Sequence, residues 1–347
     1  MRPPQLRVDL DDFAANIAVV RARVAPAELM LVVKDDAYGH GVARIVRRAT
    51  AEGVRWFGAF DVREALLTRE AAGAGARVFS WLTVGIDQIA PALAADIDLG
   101  VGDAEFLEDV VSVVREGAEP ARVHLKVDTG LHRNGIRPEE WGAVVDRARA
   151  LEEAGLVRVV GVWSHIAEAS DTEDDAARAT FDQAVAVAET AGCALEVRHL
   201  SASAASFARP EFRYDLVRVG AFCYGIRSAG GAAETDLGVR PAASLIAPVT
   251  HVGDRAVTLG IGALHGLPST LATRASLVVD GRRIGVQEVG RAHVVIDRWR
   301  DAAEGDEVIV FGPDGASATD LAETIDSVGE EILVRVSPLV PRAYRGN

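Results

Sequence analysis

Eight short apolar runs, rich in β-branched residues and separated by stretches of helical period, occupy the first two thirds of the chain and limit its fold more than any other feature. They cover residues 28–34, 56–60, 77–83, 97–102, 122–128, 157–165, 196–203 and 216–224. Near-continuous hydrophobicity of this kind suits strands of a parallel sheet covered on both faces. The intervening stretches, among them 62–72, 104–114, 139–154 and 176–191, are amphipathic and long enough to be the crossover helices that parallel strands require. Eight such repeats predict an α/β architecture, a (β/α)8 or TIM barrel.

Past Gly225 the texture changes. A Gly/Ala-rich stretch at 228–233 is followed by shorter strand patterns at 244–252, 255–259, 276–279, 283–289, 292–297, 307–311 and 331–337, with one helix near 319–325. Asp280-Gly281 reads as a hairpin turn. The expected organisation is therefore a barrel over 5–228 and a mostly-β C-terminal domain over 238–347.

Composition removes several functional classes. With 49% hydrophobic residues the chain can bury a large core, yet its apolar runs fall well short of the roughly 20 residues of a membrane span. A net charge of −14 with no basic patch argues against nucleic acid and anionic membranes. Cys193 and Cys223 are too few for a disulfide framework or a cysteine-based metal site, and no metal is expected. The N-terminus carries no apolar secretory core, so a cytoplasmic location is expected.

Of the 37 basic residues, 35 are Arg and two, Lys34 and Lys126, are Lys. A bias that converts surface lysines to arginines would not spare a lysine needed as an amine, because only the amine loses its proton on desolvation and forms an imine or carbamate. Lys34 ends the first apolar run, where barrels carry their functional groups.

The run Val33-Lys34-Asp35-Asp36-Ala37-Tyr38-Gly39-His40-Gly41 resembles the cofactor motif V-K-A-N-A-Y-G-H-G of the alanine racemase family, fold type III pyridoxal-phosphate enzymes, departing at Asp35 and Asp36. His124-Leu125-Lys126-Val127-Asp128-Thr129-Gly130-Leu131-His132-Arg133-Asn134-Gly135 is similar to the family's K-x-D-T-G-M-x-R-x-G, with Leu131 in place of methionine. Shorter matches lie at Ser164-His165, at Arg218-Val219-Gly220 and at Tyr224-Gly225.

The resemblance implies pyridoxal 5′-phosphate held by Lys34 as an internal aldimine, with Lys34 then acting as base on an amino acid's α-hydrogen. It implies phosphate binding by Tyr38, Ser203, Gly220 and Tyr224, and an arginine, Arg218, facing the pyridine nitrogen with His165 beside it. Arg133 would serve the substrate carboxylate, and Lys126 matches a lysine carbamylated in many members. It also implies a homodimer, because members complete the site with a tyrosine from a second copy. Here that tyrosine is missing: the four tyrosines are Tyr38, Tyr214, Tyr224 and Tyr344, and the matching positions carry Leu259 and Ala263. Three readings follow: racemisation with His265 or His293 as second base, a one-base reaction at the α-carbon, which the missing tyrosine favours, or a non-catalytic cofactor-binding protein.

Overall fold

A computed structural model describes residues 2–168 and 170–346. They form two compact units. One holds Val20–Lys34 and Ala49–Gly220; the other holds Asp35–Arg48 and the remaining described residues toward both ends of the chain.

The first unit is the expected barrel. Numbering strands along the chain, β1 (Gln5–Asp9) precedes it, and its staves are β2 (Glu28–Val32), β3 (Trp56–Asp61), β4 (Arg77–Leu82), β5 (Ile97–Val101), β6 (Ala121–Lys126), β7 (Val157–Trp163), β8 (Val197–His199) and β9 (Leu216–Val219). Each pairs in parallel with its neighbour, in the order β8-β7-β6-β5-β4-β3-β2-β9. Backbone bonds from Asp215 N to Arg198 O and from Arg218 N to Ser201 O join β9 to β8 and close the ring. The crossover helices fall where the amphipathic pattern places them, at Val62–Ala72, Ala104–Arg115, Pro138–Glu153 and Asp171–Thr190. Asp61, Asp103 and Ser170 cap three of these with side-chain oxygens that accept from the first helical turn.

The last three barrel strands stop two to five residues sooner than the apolar runs suggest. The carbonyls of Ser164 and Leu200 accept hydrogen bonds from the Arg218 guanidinium, and that of His199 accepts from both Arg218 and Ser164 N. The run 216–224 likewise ends at Val219 and turns into the 3-10 helix Ala221–Tyr224.

The second unit contains the other sheet, of eight strands, built from β10 (Ala243–Val252), β11 (Ala256–Leu259), β12 (Ser276–Val279), β13 (Arg282–Val289), β14 (Val294–Asp297), β15 (Glu307–Phe311) and β16 (Arg342–Arg345), together with β1. The hairpin turn is at Asp280-Gly281, both with positive φ, between β12 and β13. Two expectations are corrected. The segment 331–337 is not a strand but starts inside the helix Gly329–Val334, whose acidic first turn and Glu331–Arg335 ion pair outweigh the β-branched pattern. The strand β1, inside the span assigned to the barrel, pairs antiparallel with β10 and parallel with β16 and so belongs to the second sheet. The expected helix is Ala318–Glu323, opened by a capping box between Ser317 and Asp320. No helix among the described residues is long and apolar enough to cross a membrane.

Candidate active site

Lys34 follows the C-terminal end of β2, after Val33, whose N–H is bonded to Gly58 O of the next strand. From the same end of the barrel come Lys126 at the close of β6, Arg133 on the loop after it, His165 just past β7, Ser203 at the start of the helix Ser203–Ala208, and Arg218 and Gly220 on and after β9. The charge of Arg133 acts on Lys126, His165 and Arg218, that of Arg218 on Lys126 and His165, and those of Lys126 and Lys34 on His165.

Arg218 is the most firmly held of these. It is buried, and its two terminal nitrogens reach Ser164 O at 2.6 Å, Leu200 O at 2.9 Å, His199 O at 3.0 Å, His199 Nδ1 at 3.0 Å and His165 Nδ1 at 3.3 Å. Burial and the charge of Arg133 bring its pKa down to about 9, so it stays a cation at neutral pH. Lys126, also buried, lies 4.6 Å over the Trp163 ring. Burial, with Arg133 and Arg218 nearby, lowers its pKa to about 8 against the opposing pull of Asp128. Burial and the four surrounding cations push His165 down to about 3, which leaves a neutral imidazole.

Repulsion within this cluster is the test of whether an anionic cofactor suits it. Crowded cations in a desolvated pocket are costly unless an anion joins them. Of the acidic groups, Asp128 offsets Lys126, yet its oxygens accept from Gly130 N, His132 N and His132 Nδ1 in its own loop. A phosphorylated aldehyde and a substrate carboxylate are anions of the required kind, and the cluster also holds an amine for the aldehyde. The residues fit.

In the second unit, Tyr38 and Tyr224 are buried with ring centroids 4.8 Å apart, and Phe13 and His40 flank Tyr224 at 5.5 and 4.9 Å. The residues from Asp35 to Tyr38 form a left-handed turn with φ between 53° and 57°, a conformation that side chains other than glycine adopt only under constraint. His265 closes the 3-10 helix Ala263–His265, and its Nδ1 accepts from Gly262 N at 3.0 Å. His293 places Nε2 3.4 Å from Glu288.

The N-terminal domain model of alanine racemase matches residues 8–228 and the C-terminal domain model residues 248–344. The chain belongs to the alanine racemase family. Alanine racemases of Beutenbergia cavernae and Thermobifida fusca are 39% and 37% identical to it, each over 99% of this chain and 98% of the relative. Among solved structures, alanine racemase from the D-cycloserine producer Streptomyces lavendulae superposes with a TM-score of 0.94 at 32% identity, over 100% of this chain and 98% of its own. That of Streptomyces coelicolor gives 0.95 at 31%, over 99% and 98%. Members of the family are pyridoxal 5′-phosphate enzymes of fold type III, and this chain is an enzyme of that family. None of these relatives supports a one-base reaction.

Sequence reasoning passed over Asp98, His124, Trp163 and His199, all buried within the barrel. A signal was present: Asp98 interrupts an otherwise apolar strand, His124 and His199 fall within the strand patterns of β6 and β8, and a buried polar group needs a partner.

Proposed function

We propose that this protein carries pyridoxal 5′-phosphate on Lys34 and racemises an amino acid, alanine being the first to test. The cation cluster of Lys34, Lys126, Arg133 and Arg218, in which Lys126 and Arg218 are buried, around a neutral His165 is the observation that carries this reading. When bound, the cofactor supplies an electron sink that acidifies the substrate's α C–H bond. Lys34 Nζ would hold it, and the same amine would take or return the substrate's α-proton on one face. Arg218, fixed by five polar contacts, would offer a donor to the cofactor's ring nitrogen, and Arg133 would pair with the substrate carboxylate. Tyr38, Ser203, Gly220 and Tyr224 would serve the phosphate through hydroxyls and backbone N–H groups.

Racemisation also needs a proton on the opposite face, which the family's dimer supplies from a second copy. In place of tyrosine we assign His265 of that copy. Gly262 N–H donates to its Nδ1, so the neutral ring carries its own proton on Nε2, and partial burial lowers its pKa and favours the neutral base. His293, beside Glu288, is the alternative. A one-face reaction rests on a separate observation, the absence of tyrosine between residues 225 and 343.

Incubation with D- or L-alanine in deuterated water separates these. Racemisation puts deuterium at the α-carbon of either enantiomer and scrambles configuration, and His265→Gln then slows the reaction about 10²- to 10⁴-fold. Deuterium in one enantiomer with retained configuration supports the one-face reaction. If no amino acid exchanges or perturbs the cofactor's absorbance, the reading is wrong.

A further inference from the structure

Through the middle of the barrel runs a line of polar side chains that the proton chemistry above does not use. Arg218 Nη1 lies 3.0 Å from His199 Nδ1, His199 Nε2 lies 2.9 Å from His124 Nδ1, and His124 Nε2 lies 3.2 Å from Asp98 Oδ2. Asp98, His124 and His199 have no exposed surface, and Arg218 is 5% exposed. At the far end Asp98 is gripped by Arg77 at 2.5 Å and Arg122 at 2.6 Å.

The two ends fix every proton in this line. A guanidinium only donates and a carboxylate only accepts. His199 Nδ1 must therefore accept from Arg218, which leaves the proton of its neutral ring on Nε2, facing His124. His124 Nδ1 must accept that proton, which puts its own on Nε2, facing Asp98. All three hydrogen bonds point from the cation to the anion, and an extra proton on either ring would set two donors against each other.

The surroundings are shaped for these rings. Phe79 packs against His124 at 4.6 Å and His199 at 5.4 Å, and Trp163 stacks on His199 at 5.8 Å with a 6° tilt. A Cβ at position 161 would fall 2.5 Å from His124 Nδ1, so only glycine leaves room for the imidazole there. In such a dry aromatic sleeve a partly satisfied polar chain would be worse than an apolar core, and a fully satisfied one is rigid.

We propose that Asp98, His124 and His199 are positioning residues: a one-way hydrogen-bond relay that couples the Arg218 guanidinium at the barrel mouth to a buried counter-charge and fixes its orientation. The significance of Arg218 rests on the cofactor reading above, whereas the relay itself does not, so its test uses protein both with and without cofactor.

Nitrogen-15 histidine labelling reads the tautomers directly. Both rings are expected to show a protonated Nε2 and a bare Nδ1 at neutral pH. A proton on Nδ1 of either ring overturns the relay. Asp98→Asn keeps the shape and removes the anion. The relay predicts that His199, which does not touch residue 98, then changes its nitrogen signals, and that the Arg218 guanidinium protons exchange with solvent at least about tenfold faster. Unchanged His199 signals and unchanged exchange would reduce Asp98 to an anchor for Arg77 and Arg122 and overturn the proposal. Because the native protein alone tests the tautomers, a variant that fails to fold does not remove the test. With cofactor loaded, the same substitution is expected to shift the cofactor's absorption, and an unshifted spectrum would break the link to Arg218.

Discussion

A single buried ring illustrates how individual side chains set this protein's response to acid. His40 is fully buried; its Nδ1 donates to the carbonyls of Ala37 and Tyr38, while its Nε2 has no hydrogen-bond partner. Burial, only partly offset by those two carbonyls, lowers its pKa from 6.5 to about 4. Between those values the unfolded chain binds a proton that the native chain refuses, so stability rises with pH across that window. The cost approaches about 3 kcal/mol at the acid end, and denaturant unfolding at pH 7 and near pH 4 measures it. His40→Asn is expected to flatten the pH dependence; an equally steep dependence in the variant would place its source elsewhere. At this scale the sequence was legible where chemistry left a compositional mark: two lysines among 35 arginines led to Lys34 and Lys126. It was not legible for His124 and His199, because a histidine within a strand pattern does not name its partner, and theirs are 75 and 19 positions away in sequence.

Among the elements, boundaries follow competition for backbone groups. The strand patterns of the barrel were readable to within a few residues, but their ends were not, since the acceptors that Arg218 takes from β7 and β8 are visible only in three dimensions. The helix at Gly329–Val334 was misread as a strand because Ile332, Leu333, Val334 and Val336 fit either period. Two substitutions check the local account. Ser170→Ala removes the oxygen that accepts from Glu173 N at the start of Asp171–Thr190, and should cost about 1 kcal/mol in urea unfolding; no loss would mean that the cap is idle. Gly225 has φ 68°, and a Cβ there would fall 1.9 Å from Arg240 O. Gly225→Ala should therefore cost more than about 1 kcal/mol, and a variant with native stability would contradict that geometry.

For the whole molecule, the membership of the two units departs from the order of the sequence. The strand β1 and the segment Asp35–Arg48 belong to the unit that carries the C-terminal sheet, which no composition boundary announces. Family membership was nevertheless legible, because the cofactor motifs lie in continuous stretches around Lys34 and Lys126 and keep their spacing. Less legible was the half of the site around residues 259–265, where the tyrosine that the family motif places is absent. The proposed chemistry depends on Lys34 joining the cofactor. Borohydride reduction of the protein after incubation with pyridoxal 5′-phosphate, followed by peptide mass spectrometry, tests that bond. A reduced pyridoxyl adduct on the peptide containing Lys34, lost in Lys34→Ala, is the predicted result; an unmodified Lys34 peptide from folded protein would contradict it.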